Sequence, residues 1–252
     1  MCRWRRISLR DCCSLLKPNY EEEFQGYTVC IVTIDLMKAV IFDMDGVIVD
    51  SEPRHERAFL EVLSEIGYAD CHGLRFSDYI GRADREIWVD FLARHKPIQT
   101  MEQLLAMKRE RVVEIIRREQ PVFDGLPELI EKLSTRYRLA VASGSERQVV
   151  QEVLSLPRLR GFFSAVVSSA DVKRGKPAPD IFLRAAELLN VSPADCWVIE
   201  DSKPGVAAGV AAGMRVIAVT NTHAAAELEQ AAYVVSAYDE VERLLLRSAL
   251  SE

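Results

Sequence analysis

Two aspartates separated by a single residue, Asp43 and Asp45, follow directly on an apolar run, and Gly46 comes next. At the carboxyl end of a strand such a pair faces one site if the chain leaves the extended state, and glycine permits that bend. One carboxylate can then act as a nucleophile and the other as a general acid and base. The pair alone reads equally as a solvated turn. Three further segments carry compatible chemistry. Ser143, Gly144 and Ser145 end another apolar run. A hydroxyl and backbone N–H groups ahead of a helix make a phosphate cradle, although Ser145 could instead cap that helix. Lys176 stands before Pro177 and Pro179, where its ammonium could neutralise phosphate or lie in a surface turn. Glu200 and Asp201 end a third apolar run. With Asp43 they offer hard oxygen ligands suited to Mg²⁺, while Asp201 also reads as a helix N-cap.

These groups need strands to present them. Apolar runs at 39–42, 139–142, 165–168, 197–199, 216–219 and 233–235 are short and apolar on both faces, as buried parallel strands are. Between them, amphipathic stripes predict helices: Leu126, Leu129, Ile130 and Leu133; Val149, Val150, Val153 and Leu154; Ile181, Phe182, Ala185, Leu188 and Leu189. The alternation predicts an α/β fold, a doubly wound parallel sheet of Rossmann-like type. One interval breaks it. Residues 51–121 show no strand but three helical stripes, centred on Ala58, Phe59, Val62 and Leu63, on Ile87, Phe91 and Leu92, and on Leu104, Leu105, Val112, Ile115 and Ile116. This predicts a core of 37–50 and 122–252 with a helical insertion at 51–121, hinged near Pro53 and at Gln120 and Pro121.

Composition narrows the class. The chain has 252 residues, 49% hydrophobic and 28% charged, with a net charge of −6. A buried core is therefore expected, and a mildly acidic chain is a poor partner for nucleic acid. No run of eighteen apolar residues exists to span a membrane. Four cysteines, Cys2, Cys12, Cys13 and Cys30, lie in the first 36 residues, and Cys71 and Cys196 in the rest. None shows C-x-x-C spacing, so zinc has no support, and the two scattered body cysteines suggest reduced thiols and a cytoplasmic setting. Residues 1–36 begin basic but lack an apolar signal core, and Glu21, Glu22 and Glu23 argue against a transit peptide. The folded chain is expected to begin at Met37, with 1–36 either a start placed too far upstream or a disordered or loosely packed extension.

The runs KAVIFDMDGVIVDS at 38–51, GKPAPD at 175–180 and IEDSKPGVAAGVAAG at 199–213 resemble the haloacid dehalogenase-like phosphohydrolase superfamily. The resemblance covers Met37 to about Leu246, and the helical insertion is similar to the cap of the branch holding β-phosphoglucomutase and small sugar-phosphate phosphatases. It implies that Asp43 is the nucleophile forming an aspartyl-phosphate and Asp45 the general acid and base. It implies that Ser143 and the Gly144 amide hold phosphate and that Lys176 neutralises it. The implied Mg²⁺ site uses the side chains of Asp43 and Asp201 and the backbone carbonyl of Asp45, with Glu200 a further ligand or a group behind the ligands. Asp45 separates this chain from dehalogenases and phosphonate-cleaving relatives, which lack it.

The cap is expected to set the substrate. His55 matches a histidine that couples substrate binding to the acid in β-phosphoglucomutase, and Lys108 resembles another cap residue there; both also read as exposed helix residues. A mutase must grip a second phosphate. The matching cap arginine falls at Asp84, with Arg82 and Arg85 nearby, and the matching lysine-asparagine pair falls at Glu146 and Arg147. These departures favour a phosphatase of small phosphorylated metabolites, such as sugar or polyol phosphates, over a β-phosphoglucomutase-type mutase. A non-catalytic relative would need a lost motif residue, and none is lost.

Overall fold

A computed structural model describes residues 21–24, 27–30, 38–79 and 84–247. The expected start at Met37 and most of 1–36 lie outside the described residues, as does Arg82. Within the extension, β1 (Glu21–Phe24) and β2 (Tyr27–Cys30) form a two-stranded antiparallel sheet of their own.

The remaining strands are β3 (Ala39–Phe42), β4 (Arg138–Ala142), β5 (Ala165–Val167), β6 (Cys196–Glu200), β7 (Arg215–Val219) and β8 (Tyr233–Val235). All pair in parallel, in the order β5-β4-β3-β6-β7-β8. From β3 the chain builds outward through β4 and β5, returns to the other side of β3 at β6, and continues outward. This order places a topological switch at the carboxyl ends of β3, β4 and β6, where such sheets bind ligands.

Side-chain alternation sorts the strands onto two faces. Val40, Phe42, Leu139, Val141, Ile199 and Ile217 join one apolar cluster with α4 (Leu126–Ser134) and α5 (Arg147–Ser155). Ala39, Ile41, Ala140, Val198 and Ala218 join a second, against α6 (Asp180–Leu189) and α7 (Lys203–Ala211). A sheet buried on both faces explains why its strands read as continuous apolar runs. The expected α/β doubly wound fold is present. Some strand ends shift by a residue: the strand from 165 stops at Val167, and those expected at 139–142, 197–199 and 216–219 run over Arg138–Ala142, Cys196–Glu200 and Arg215–Val219.

The insertion contributes α1 (Glu52–Glu65), α2 (Asp84–Arg94) and α3 (Met101–Glu119). Pro53 sits in the first turn of α1, where its missing N–H costs nothing. Thr100 and Gln103 cap α3 reciprocally, and Gln120 ends it in the left-handed region at φ 47°. An apolar cluster of its own, with Phe59, Val62, Leu63, Trp88, Phe91 and Leu104, holds the insertion together. The last turns of α3 do something else: Val112, Ile115 and Ile116 pack into the main core. The two connections are zipped together, Asp50 N–H donating to Pro121 O at 2.9 Å and Phe123 N–H to Ile48 O at 3.2 Å. Arg54 and Arg57 both pair with Glu119 across the same junction.

Trp88 is fully buried, 5.0 Å from the Phe59 ring and 5.7 Å from Phe91. Trp88→Ala should cost about 3–5 kcal/mol by lost burial and cavity formation. Chemical denaturation measures it, and a loss below about 1 kcal/mol would mean that the insertion is not held by this cluster.

Candidate active site

The ends of β3, β4 and β6 converge at the switch point. Asp43 follows β3, and its N–H donates to Ile199 O at 2.9 Å, so the loop leaves the sheet directly beside β6. Gly46 then turns at φ 77°, and a Cβ there would lie 1.9 Å from Asp201 Oδ2. Only glycine allows the Asp43–Asp45 loop to press against the end of β6 in this way.

The centre is a buried charge cluster. Lys176 Nζ donates to Asp43 Oδ1 at 2.6 Å and to Glu200 Oε1 at 2.5 Å. Glu200 is wholly inaccessible, and its other oxygen accepts from the N–H groups of Asp201 and Ser202, both at 2.8 Å, and from Ser202 Oγ at 2.9 Å. Glu200 therefore fixes Lys176 on one side and the start of the β6 loop on the other. Gly205 makes room for it: a Cβ at 205 would lie 1.7 Å from Glu200 Oε1.

Burial pushes the Asp43 carboxyl well above the usual range, and neighbouring Glu200, Asp45 and Asp201 add to this against the opposing charge of Lys176. Burial likewise pushes Asp201 up to about 7, helped by Glu200 and opposed by a hydrogen bond from Thr222. Burial works against the Lys176 charge, but Asp43 and Glu200 outweigh it and hold the ammonium firmly protonated. Three carboxylates thus share one ammonium. Asp43, Glu200 and Asp201 offer oxygens within 4.8 Å of one another. Such an oxygen set, short of positive charge, suits a divalent cation.

Asp45 stands apart from this cluster. Its Oδ1 accepts from Ser51 Oγ at 2.6 Å, and its Oδ2 from Ser145 Oγ at 2.7 Å and Ser143 Oγ at 3.1 Å. His55 Nε2 lies 3.7 Å from Oδ1. Burial would raise the Asp45 carboxyl, but His55 and the serine hydroxyls more than offset it and hold it well below the usual range. Gly144 is exposed beside Ser143, with open space where a Cβ would be. The loop at 143–145 thus presents small groups at the end of β4, ahead of α5.

From the insertion, Lys108 is only 1% exposed. It donates to Asp84 Oδ2 at 2.6 Å and contacts His55 Nδ1. Arg109, its neighbour on α3, pairs with Glu146 at 2.9 Å. These contacts bring Asp43, Asp45, Ser143, Lys176, Glu200 and Asp201 together at this end of the sheet, with His55 and Lys108 reaching Asp45 from the insertion. Two alternatives raised by the sequence do not hold. The cap of α7 is Ser202, which accepts from Gly205 N at 3.2 Å, so Asp201 is left to the cluster. Ser145 does not cap α5, whose N-cap position is Glu146; its hydroxyl goes to Asp45. Sequence reasoning missed Ser51, six residues on from Asp45, and Thr222, Asn221 and Tyr238, which touch this loop cluster from a distant part of the chain.

Residues 37–213 match the family described as haloacid dehalogenase-like hydrolase. The chain is 34% identical over 181 residues to the phosphorylated carbohydrates phosphatase of Thermotoga maritima, covering 71% of this chain and 82% of that one. It is 34% identical over 183 residues to the fructose-1-phosphate phosphatase YqaB of Escherichia coli, covering 71% and 95%. Among solved structures, CbbY from Rhodobacter sphaeroides in complex with phosphate superposes with a TM-score of 0.70 at 26% identity, covering 81% and 96%.

Gly205→Ala tests the buttress without removing any polar group. The new methyl must displace Glu200 and so shift Lys176 from Asp43. Alanine is the better helix former, so the fold should survive, whereas turnover should fall on the order of 100-fold. Melting and phosphate-release assays check both, and wild-type turnover would show that Glu200 is not needed where it stands.

Proposed function

Because the chain belongs to the haloacid dehalogenase-like hydrolases, we propose that it is a Mg²⁺-dependent phosphatase of sugar or polyol monophosphates that works through an aspartyl-phosphate on Asp43. The observation that carries this reading is the pair of opposed environments two residues apart. Asp43 lies in the buried cluster on Lys176, and Asp45 lies beside it on three hydroxyls. Such a division suits one carboxylate to attack and the other to move protons.

In this mechanism Asp43 Oδ attacks phosphorus, and the bond from phosphorus to the leaving oxygen breaks. Asp45 gives its proton to the departing alkoxide. It then takes a proton from the water that attacks phosphorus, which frees Asp43 and releases inorganic phosphate. Lys176 neutralises the phosphoryl oxygens, and Ser143 with the Gly144 amide holds them. The Mg²⁺ site would be made by the side chains of Asp43 and Asp201 and the backbone carbonyl of Asp45, with Glu200 a further ligand or the group behind them that holds Lys176. When bound, the metal supplies the positive charge that lets a carboxylate meet a phosphate dianion.

Asp45 must be protonated to act first, yet hydrogen bonds hold it ionised in the structure. Ser143 Oγ offers the resolution. It now donates to Asp45 Oδ2, and a bound phosphate would compete for it. Loss of that donor and the arrival of negative charge both raise the affinity of Asp45 for a proton. His55, 3.7 Å from Asp45, and Lys108 behind it would respond to the substrate from the insertion.

A phosphatase is favoured over a phosphosugar mutase by two ion pairs. Asp84 ties Lys108, and Glu146 ties Arg109, so each of these two α3 cations already faces a carboxylate. A second phosphate would have to displace these acids. The curated phosphatases of phosphorylated carbohydrates and fructose 1-phosphate similar to this chain support the same substrate class.

A panel of sugar and polyol monophosphates should yield inorganic phosphate, with little isomerisation of β-glucose 1-phosphate. Chelation should silence the enzyme and Mg²⁺ restore it. Ca²⁺ should not, because its longer bonds and larger coordination number would hold Asp43 through both oxygens. Isomerisation outpacing phosphate release would favour the mutase, and full activity with Ca²⁺ would contradict the metal's role.

A further inference from the structure

The loop after β7 and the start of α8 (Tyr238–Glu242) supply none of the reacting groups named above. Both lie beyond residue 213, where the family match ends. Yet both reach the loop that carries Asp43 and Asp45. Gly46 and Val47 are buried, and their carbonyls need donors that water cannot easily supply. Asn221 Nδ2 donates to Gly46 O at 2.8 Å and to Tyr238 Oη at 3.0 Å. Tyr238 Oη in turn donates to Val47 O at 2.5 Å.

The hydrogens close without remainder. The amide has two and spends one on Gly46 and one on Tyr238. The phenol has one and spends it on Val47, so its lone pair must face the amide. The ring packs 6.1 Å from Phe123, at the connection leading out of the insertion. Burial raises the phenol's affinity for its proton, so it remains a donor. The same β7 loop holds the neighbouring acid: Thr222 donates to Asp201, and His223 Nδ1 lies 3.2 Å from Asp201 O.

We infer that Tyr238, with Asn221 behind it, is a positioning residue that fixes the peptide planes at 46 and 47 and thereby aims Asp45. The side chain of Asp45 is held by Ser51, Ser143 and Ser145. When a phosphate takes Ser143, one of those holds is lost. The backbone immediately after Asp45 must then keep the carboxyl on line with the leaving oxygen, and glycine at 46 gives that backbone no stiffness of its own. The two carbonyl bonds add to the turn's own backbone bonds, Gly46 N–H to Val49 O and Ile48 N–H to Met44 O, from the side that faces β7 and α8. This inference rests on the proposed role of Asp45 as the leaving-group acid.

Tyr238→Phe removes only the hydroxyl and keeps the ring against Phe123. Asn221→Ala removes the donor to Gly46 and serves as a second, independent variant. The measurements are melting temperature, kcat and KM on a sugar monophosphate, and the first-turnover burst of p-nitrophenol from p-nitrophenyl phosphate. Proton donation matters for a sugar alkoxide and little for p-nitrophenolate. Both variants should lower kcat on the sugar phosphate by about tenfold or more, with KM within about twofold and the burst rate nearly unchanged. Melting should shift by a few degrees at most. Equal losses on both leaving groups, or wild-type kcat on the sugar phosphate, would overturn the positioning role. The wild-type arm separates the two levels: failure of the wild-type chain to release phosphate from any sugar monophosphate would overturn the proposed function and this inference together.

Discussion

One ammonium among three buried carboxylates is the constraint on which the site depends. Lys176 reaches Asp43 and Glu200 at hydrogen-bond distance, and Asp201 completes the acidic set. Charges buried in this way are tolerated only when they are paired and fully hydrogen-bonded. The fold meets that demand by bringing the ends of β3 and β6 and the turn before α6 to one point. Two glycines make the approach possible, since side chains at 46 or 205 would overlap the acids themselves. The cluster remains short of positive charge, and that shortage is its capacity for a cation and a phosphate group.

Next to it, a second environment has the opposite effect. Asp43 is pushed up by burial and like charge, while Asp45 is held down by hydroxyls and His55. The carboxylates differ by two positions in sequence, and the turn at Gly46 is enough to send them to different surroundings. Asp43 faces the β6 and α6 side. Asp45 faces the serines of the β4 loop and of the α1 start, with the insertion's His55 beyond them. In the proposed mechanism, attack by Asp43 would be tied to the sheet and proton transfer by Asp45 to the insertion.

Much of this was legible from residues alone, for physical reasons. All six strands of the main sheet stand where two-faced apolar runs predict them, because a sheet covered on both faces leaves no room for polar alternation. The acids, serine and lysine were legible because they stand at strand ends and helix starts, which sequence can locate. Contacts between distant segments were not. Lys108 stands next to Arg109 and Arg111 on a long helix and reads as solvated, yet it is buried against Asp84 and His55. Ser145 reads as a helix cap, since local sequence cannot reveal that Asp45 lies 2.7 Å away. Tyr238 reads as one more aromatic residue near the chain end, and only the fold brings its hydroxyl to Val47.

The account turns on Asp43 carrying the phosphoryl group. The most direct measurement is rapid acid quench of the Mg²⁺-loaded enzyme during turnover of a sugar monophosphate, followed by mass spectrometry of the peptide containing residues 38–51. The account predicts a phosphoryl adduct on Asp43, cleaved by hydroxylamine and absent from Asp43→Asn. Turnover at the wild-type rate with no adduct at any quench time, or an adduct that persists in Asp43→Asn, would contradict it.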